Sequence, residues 1–207
     1  MEGIPVISTH CLITKNKIIK DGQIIFEHPG TAGSFLDIVY SHLEIHYPKF
    51  YKMDNLCKLG ILAAGVLLHG TQHEKKYKDN ETGLILSNSH GSLDVDVKYA
   101  KTIQAGASPS LFVYTLPNIV IGEISIRYHF KGENAFFVFK DFDGNFMAEY
   151  VMNLFENNLI KNCICGWVDY FEEDYRAVLF LSELNNQENT LIFNADNLNK
   201  LNQMDYG

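Results

Sequence analysis

The short apolar runs of this chain constrain its fold more than any other feature of the sequence. Residues 83–87 (GLILS) and 135–139 (AFFVF) are bounded by polar or turn-forming residues and are shorter than typical buried helices. Runs of this kind are typical of strands that are covered on both faces. Segments with helical spacing lie between them, so the sequence predicts an α/β fold with a mixed sheet and helices on both faces.

The order of the elements follows from periodicity and from residues that begin or end helices. Asp54 is suited to cap the helix that follows it, and Pro117 is suited to the first turn of another. The polar sequence NKIIKDG at residues 16–22 predicts a turn. We predict strands at 4–13, 83–87, 135–139, 162–169, 176–183 and 190–193, and helices at 33–46, after Asp54, at 93–103, 117–129 and 145–158.

These elements predict one domain that contains a five-stranded sheet. The order is βααβααβαββ, and no linker divides the chain. We assign the domain to residues 1–185 and a polar C-terminal extension to residues 186–207. The extension is rich in asparagine, and we expect a short strand and a last helical turn or two in it.

Charge and composition exclude some classes of function. The formal net charge of −8 argues against a general nucleic-acid binder, because such a protein needs a basic surface to displace counterions. No apolar run reaches the ~18 residues of a membrane span, and the N-terminus lacks the basic start of a signal peptide. We therefore expect a cytoplasmic protein without a membrane span. The sequence indicates neither a cofactor nor a metal.

The four cysteines, Cys11, Cys57, Cys163 and Cys165, are too few and too scattered for a disulfide framework. The spacing of Cys163 and Cys165 is wrong for a zinc knuckle, and alternation along a strand would put both thiols on one face. We therefore expect buried, unreactive thiols in a reducing compartment.

One helix carries more apolar surface than a lone domain of this size needs. Residues 117–129 are apolar nearly all round until Arg127, and they follow the apolar stretch 111–114. A helix of this kind is buried inside a larger body or against a partner. The sequence therefore predicts a subunit interface in this region.

Five segments, in order and at plausible spacing, carry a resemblance to a known family. They are residues 82–91 (TGLILSNSHG), 107–118 (ASPSLFVYTLPN), 122–128 (GEISIRY), 132–134 (GEN) and 165–169 (CGWVD). They are similar to the family patterns vGlvlgtg.g, sP.lFp.tlpN, aG.iairyg, GpN and aGgvd. On these residues the chain resembles the N-terminal half of the β-ketoacyl synthases (3-oxoacyl-ACP synthases), over about residues 4–185. The resemblance implies half of a thiolase-like fold.

The resemblance also locates the position of the family's nucleophile. Counting from Gly132, the catalytic cysteine of the family falls on Asp141, and a family glycine matches Gly144. A carboxylate is a much poorer acyl carrier than a thiolate, because the anhydride would hydrolyse. An aspartate before a helix is a good N-cap, so we expect Asp141 to cap the helix at 145–158.

The resemblance implies that this chain is a short form of the family. The two catalytic histidines of the family lie in a C-terminal half that we expect to be absent, and in a complete ketosynthase that half covers the inner helices. We assign no catalytic residue. Asp141 at the nucleophile position and His90, in the turn after a strand, are the two candidates.

We expect the chain to be a non-catalytic, ketosynthase-like accessory protein. It would serve fatty-acid or polyketide-type biosynthesis, for example of aryl polyene or flexirubin-like pigments, and it would form a homodimer or a heterodimer with a full-length ketosynthase. Acyl carrier protein is a further candidate partner. The resemblance places the interface at Phe112, Pro117, Ile121, Ile124, Phe137 and Phe139.

Two alternatives remain open at this point. The chain could be an acyl-thioester-processing enzyme in its own right, using Asp141, His90 or Cys165, although no nucleophile, base and orienting group stand at a recognisable spacing. It could instead be a module that binds acyl groups or acyl carrier protein. Such a module would need a basic patch, for which the candidates are Lys49, Lys52, Lys58 and the KKYK run at 75–78.

Overall fold

The computed structural model describes residues 3–185 and 190–204 as one α/β domain. The strands are β1 (Ile4–Thr14), β2 (Lys17–Lys20), β3 (Gln23–Glu27), β4 (Thr82–Asn88), β5 (Asn134–Val138), β6 (Asn162–Phe171), β7 (Asp174–Asn185) and β8 (Leu191–Ile192). The α-helices are α1 (Ala32–His42), α2 (Asn55–Leu68), α3 (His73–Lys76), α4 (Leu93–Ala100), α5 (Ile103–Gly106), α6 (Pro109–Phe112), α7 (Ile119–Tyr128), α8 (Gly144–Glu156) and α9 (Ala195–Gln203). A 3-10 helix spans Pro48–Lys52.

The described strands form a single mixed sheet. Its order is β3-β2-β1-β7-β6-β4-β5, and β8 pairs with β1. Strand β4 is parallel to β5 and to β6, whereas β7 is antiparallel to β6 and to β1. Helices α1, α2 and α7 pack on one face of the sheet, and α8 and α9 pack on the other. The predicted α/β class and the mixed sheet with helices on both faces are thus confirmed.

The prediction of a plain turn at residues 16–22 is wrong, and the sheet has eight described strands instead of five. Two two-residue turns within residues 14–27 join β1, β2 and β3 into a three-stranded meander, because Thr14 pairs with Lys17 and Lys20 pairs with Gln23. Both residues of each turn have positive φ, from 45° at Lys15 to 82° at Gly22. This is the backbone geometry that matches the twist of hairpin strands.

The inner helix α2 is covered by this chain's own residues. All of its apolar side chains except the half-buried Leu68 are buried. Its outer sides pack against α1 and α7, and Phe50 of the 3-10 helix belongs to the same core. The Nζ atom of Lys20 donates to the carbonyl oxygens of Val66 and His69 at the end of α2, at 2.9 and 2.6 Å. Residues of the meander and of α1 therefore contribute to the cover of α2.

The described part of the predicted extension packs on the domain. Leu198 and Leu201 of α9 are buried against α8, and Phe193 is buried beside β1. Asn199 accepts a hydrogen bond from the backbone N–H of Gly144 at 3.2 Å. The predicted boundary after residue 185 borders residues 186–189, which lie outside the described residues. In the described chain, no helix has the length and apolarity that a bilayer crossing requires.

All four thiols are free and buried. Cys163 and Cys165 contribute to the same core cluster on one face of β6, as the alternation predicted. Burial raises the pKa of the Cys11 thiol to about 12, and it also raises the pKa of Cys57 and Cys163 above the ordinary value. These three thiols therefore carry no thiolate at neutral pH.

Candidate functional site at the carboxyl ends of the parallel strands

The parallel strands β4 and β5 end together at one edge of the sheet, and β6 continues beyond them to Phe171. Asn88 at the end of β4 pairs with Val138 at the end of β5, and Ser87 pairs with Trp167 of β6. The N–H of Phe139 extends this ladder by donating to the carbonyl oxygen of Asn88 at 2.9 Å. The carboxyl ends of parallel strands are where open α/β sheets bind ligands. The sequence candidates His90 and Asp141 both lie at this edge.

Asp169 near the end of β6 organises the turn that follows β4. Its Oδ1 atom accepts the backbone N–H groups of Ser89 and His90 at 3.3 and 3.1 Å. Its Oδ2 atom lies 2.7 Å from the Ser89 hydroxyl and 2.8 Å from Nδ1 of His90. The carboxylate thus joins two residues that are 79 and 80 positions away in the chain.

The turn itself is held in one conformation. Asn88, which is fully buried, accepts from the N–H of Gly91 and donates to its carbonyl oxygen, both at 2.9 Å. Gly91 has a φ of +58°, which a glycine adopts without strain. The ring of His90 stacks on Phe171, with 5.0 Å between the centroids and 10° between the planes. The position of the imidazole is therefore fixed by its backbone, its Nδ1 atom and its flat face.

This arrangement is not a serine nucleophile triad. In such a triad the serine contacts the imidazole nitrogen that faces away from the carboxylate. Here the Ser89 hydroxyl lies 3.0 Å from Nδ1 of His90, the nitrogen that Asp169 already engages. Nothing in the described chain forms a hydrogen bond to Nε2 of His90. The cluster is an aspartate–histidine dyad in which Asp169 engages Nδ1 of His90.

The prediction that Asp141 caps the helix after β5 is wrong. The N-cap of α8 is Asp143, whose Oδ1 atom accepts the N–H groups of Asn145 and Phe146 at 3.0 and 2.9 Å. Asp141 is exposed two residues earlier. Gly144, the first residue of the helix, lies so close to Asn199 of α9 that a Cβ atom on it would collide with that side chain.

Asp141 therefore has no structural task that the described contacts show. It makes no hydrogen bond or ion pair with any described residue, and no described contact joins it to the Asp169–His90 dyad. Lys140 beside it is exposed as well. The strand end that resembles the family's nucleophile position thus carries a solvent-exposed Lys-Asp pair of residues and no thiol.

The six residues placed at the interface fall into two groups. Phe112 is 60% exposed, and Pro117, Phe137 and Phe139 are half-buried. Ile121 and Ile124 are buried in the subunit's own core, where α7 packs on α2. The prediction that Ile121 and Ile124 lie at an interface is therefore wrong, because the helical face that they share points inward and leaves them no surface for a partner.

The outer edge of β5 is open. Among the described strands β5 is the last of the sheet on this side, and its only neighbour is β4. Val138 on this strand is 54% exposed. Phe137 and Phe139 extend towards α8, where each contacts the ring of Phe146 edge-on, at 4.7 and 4.9 Å between centroids. An open strand edge bordered by aromatic side chains is a template for pairing with another chain.

Several large apolar side chains on the segments that precede β5 in the chain are also exposed. They belong to the elements between β4 and β5, and they comprise Leu93, Val97, Ile103, Phe112, Val113, Leu116 and Ile126. An accumulation of this kind marks an interaction surface more often than isolated exposed residues do.

Three of the lysines considered for a basic patch are paired with carboxylates. Lys49 contacts the buried Glu123 at 2.5 Å, Lys58 contacts Asp37 at 2.8 Å, and Lys76 contacts Glu183 at 3.5 Å. The hydrogen bond to Glu123 raises the pKa of Lys49 above its ordinary value. The other three candidates, Lys52, Lys75 and Lys78, are exposed. The pairing of half of these cations weakens the case for a basic patch that would bind an acidic carrier protein.

Sequence reasoning missed Ser89 and Asp169 as members of the site. Both lie inside segments that carried the family resemblance, and both are polar residues at the ends of strands with apolar interiors. Polar residues at the carboxyl ends of two parallel strands are a signal that they face each other. That signal becomes usable only when β4 and β6 are known to be neighbours.

Solved structures of other proteins share the fold of this chain. No protein-family model matches the chain, and no curated protein matches it. A solved structure of the ishigamide ketosynthase/chain length factor superposes with a TM-score of 0.66 at 18% identity, covering 91% of this chain and 64% of that one. A type II polyketide synthase acyl-carrier protein in complex with its ketosynthase gives a TM-score of 0.63 at 14% identity, with 89% and 64% covered.

A ketosynthase in complex with its chain length factor from Xenorhabdus doucetiae gives a TM-score of 0.53 at 9% identity, with 87% of this chain and 79% of that one covered. The chain thus spans less than two thirds of the first two of these relatives. At sequence identities this low, the similarity shows the fold alone. The chain has the thiolase-like fold that ketosynthases and chain length factors share.

Proposed function

We propose that this chain is a ketosynthase-like partner subunit that is non-catalytic in condensation and binds a ketosynthase through the open edge of β5. The observation that carries the proposal is that edge, with Val138 exposed on it and with exposed apolar residues on the preceding elements. An edge strand of this kind gains backbone hydrogen bonds and buries apolar surface when a second sheet is added to it.

The absence of a thiol at the strand end supports the non-catalytic part of the proposal. The position that resembles the family's nucleophile holds Asp141, and all four thiols lie elsewhere in the buried core. Condensation through a covalent acyl intermediate needs a thiolate. A subunit without one would contribute surface and positioning to a complex whose partner supplies the chemistry.

The names of the solved relatives support the choice of partner. They are complexes of a ketosynthase with a chain length factor or with an acyl carrier protein. By analogy the pathway would be polyketide-type or fatty-acid biosynthesis, with aryl polyene and flexirubin-like pigments as the finer proposal. A homodimer through the same edge is the second candidate, and the acyl carrier protein would then meet the assembled pair.

The test uses two charge substitutions at opposite edges of the sheet. Val138→Lys places a cation on β5, and Ile25→Lys places one on β3, where Ile25 is 46% exposed. Both are apolar residues of edge strands, so any general effect of an added lysine is shared. Each purified variant is titrated against the ketosynthases of its host, and complexes are detected by calorimetry and by size-exclusion chromatography with light scattering.

We expect the wild type and Ile25→Lys to bind one ketosynthase with equal affinity. Val138→Lys should bind it at least about tenfold more weakly, because the new lysine would lie on the strand that pairs with the partner, and charged residues are depleted at the core of protein interfaces. A pure homodimer that Val138→Lys converts to a monomer would select the second candidate. The proposal fails if the wild type neither self-associates nor binds a ketosynthase, or if the two variants behave alike.

A further inference from the structure

The Asp169–His90 dyad is more highly organised than its role in a turn requires. Two backbone N–H groups on Oδ1 would be enough to fix the turn, as at a helix N-terminus. Here the second oxygen of the same carboxylate also holds the Ser89 hydroxyl and the His90 imidazole at 2.7 and 2.8 Å. Asp169 therefore determines the orientation and the tautomer of His90, with the proton on Nδ1 and the lone pair on Nε2.

The imidazole is accessible on its reactive side. The side chain of His90 is 36% exposed, whereas that of Asp169 is 14% exposed. The stacking on Phe171 covers one face of the ring and leaves its outer edge uncovered by any described hydrogen-bonding partner. A histidine held by a carboxylate on one nitrogen and open on the other has the arrangement of a general base.

An apolar strip begins one helical turn beyond the dyad. The N–H of Leu93 bonds to the carbonyl oxygen of His90 at 3.0 Å, and Val97 follows Leu93 by one turn of α4. Both side chains are exposed. The strip offers an exposed apolar surface on the helix that directly follows the His90 turn. On the adjacent strand end, the backbone ladder from Asn88 to Phe139 places Lys140, a cation, next to the Ser89–His90 turn.

From this geometry we propose that His90, positioned by Asp169, is a general base that hydrolyses activated carboxylic esters with an apolar acyl group. The oxygen of a water molecule forms a bond to the ester carbonyl carbon while Nε2 of His90 takes one of its protons. The carbonyl electron pair moves onto its oxygen, where Lys140 stabilises the negative charge. When that pair returns, the carbon–alkoxy bond breaks and the alkoxide leaves with the proton from Nε2, giving one carboxylic acid and one alcohol.

The dyad that carries this activity differs from the residue that the pairing test changes. Asp169 and His90 lie on β6 and in the turn after β4, whereas Val138 lies on the outer edge of β5. The nucleophile is water, because the Ser89 hydroxyl faces the wrong nitrogen of His90 to lose its proton to it. No acyl group becomes attached to the protein in this reaction.

The experiment measures hydrolysis of 4-nitrophenyl acetate and 4-nitrophenyl hexanoate by the whole purified chain. The variants are His90→Gln, Asp169→Asn and Ser89→Ala, and the matched control is His69→Gln, an exposed histidine at the end of α2. Rates are recorded from pH 5 to pH 8.5, thermal unfolding checks that each variant is folded, and mass spectrometry after reaction checks for acylation.

We expect His90→Gln to lose about 10²–10⁴-fold in kcat/KM, the range that a general base contributes. The difference in rate between the two ends of this pH range should be smaller in this variant than in the wild type. Asp169→Asn should lose at least about tenfold. Ser89→Ala removes one of the contacts to Asp169 and should lose less than tenfold. His69→Gln should match the wild type, and hexanoate should be favoured over acetate by the apolar strip.

Three results would overturn the proposal. One is a wild-type rate no higher than that of folded His90→Gln. A second is an unchanged pH profile in His90→Gln, which would assign the histidine a structural role. The third is a covalent acyl-serine together with complete loss in Ser89→Ala, which would make Ser89 the nucleophile. None of these results depends on whether Val138→Lys impairs pairing, so the two proposals can fail separately.

Discussion

The two aspartates before α8 provide a sharp test of how this strand end is built. Asp143→Ala removes an N-cap whose Oδ1 atom accepts two backbone N–H groups, at 3.0 and 2.9 Å. Loss of an aspartate N-cap costs about 0.5–2 kcal/mol. Part of this is the attraction of a negative charge to the helix N-terminus, about 0.3–1 kcal/mol at an exposed site. Asp141→Ala removes an exposed side chain with no described partner, and such substitutions stay within about 0.5 kcal/mol.

Three variants separate the hydrogen bonds from the charge. Asp143→Asn keeps a capping oxygen and loses the charge, so we expect it to lose only the smaller, electrostatic part. The free energy of unfolding is measured by urea denaturation followed by far-ultraviolet circular dichroism, and the midpoint of thermal unfolding gives a second value. At about 2–4 °C per kcal/mol for a chain of this size, Asp143→Ala should melt about 1–8 °C lower than the wild type.

The order of the variants decides the question. The expected order of stability is Asp141→Ala, then Asp143→Asn, then Asp143→Ala. The reasoning is refuted if Asp141→Ala is destabilised as much as Asp143→Ala, because Asp141 would then carry the cap that the family nucleophile position suggested. It is also refuted if all three variants match the wild type, since the helix would then begin without help from either carboxylate.

Two further predictions concern packing and pH. A Cβ atom on Gly60 of α2 would collide with Cγ2 of Val120, whereas one on Gly122 of α7 would meet nothing within 4 Å. Gly60→Ala should therefore destabilise the protein by about 1–3 kcal/mol, and Gly122→Ala should stabilise it by about 0.5–1 kcal/mol. Equal urea midpoints for the two variants would contradict the packing of α7 on α2. Burial lowers the pKa of His73 below its ordinary value of 6.5, so the unfolded chain binds the proton first as the pH falls and stability is lost from about pH 6.5 downwards. His73→Gln should flatten the urea midpoint between pH 7 and pH 5, and a slope equal to that of the wild type would show that other groups cause the loss.

The sequence was informative wherever local pattern and burial agree. The apolar runs at β4 and β5 lie between covering helices, so their composition alone indicated strands. The meander at residues 14–27 was missed because β2 and β3 are short and lie at the rim, where polar and apolar residues mix. The Asp21–Gly22 pair was the available signal, since this dipeptide favours the positive φ values of a two-residue hairpin turn.

Helix α7 shows a second limit of sequence reasoning. The helix α7 is apolar on nearly all sides, which indicates burial but not by what. Ile121 and Ile124 face α2 of the same chain, whereas Ile126 faces outward and is exposed. Only the position of α2 distinguishes the two sides. Composition therefore predicted that this region carries excess apolar surface, and the fold determined which residues offer it.

The strand end that resembles the family's nucleophile position carries no thiol, but polar side chains lie at the same end of the sheet. Asp141 lies in solvent without a described partner, while Asp169 on β6 holds His90, in the turn after β4, in a fixed orientation. Strand β4 lies between β5 and β6, so the turn that carries His90 follows a strand that neighbours both. The proposed pairing depends on the outer edge of β5, and the proposed hydrolysis depends on the dyad. Val138→Lys and His90→Gln should therefore act on the two properties independently.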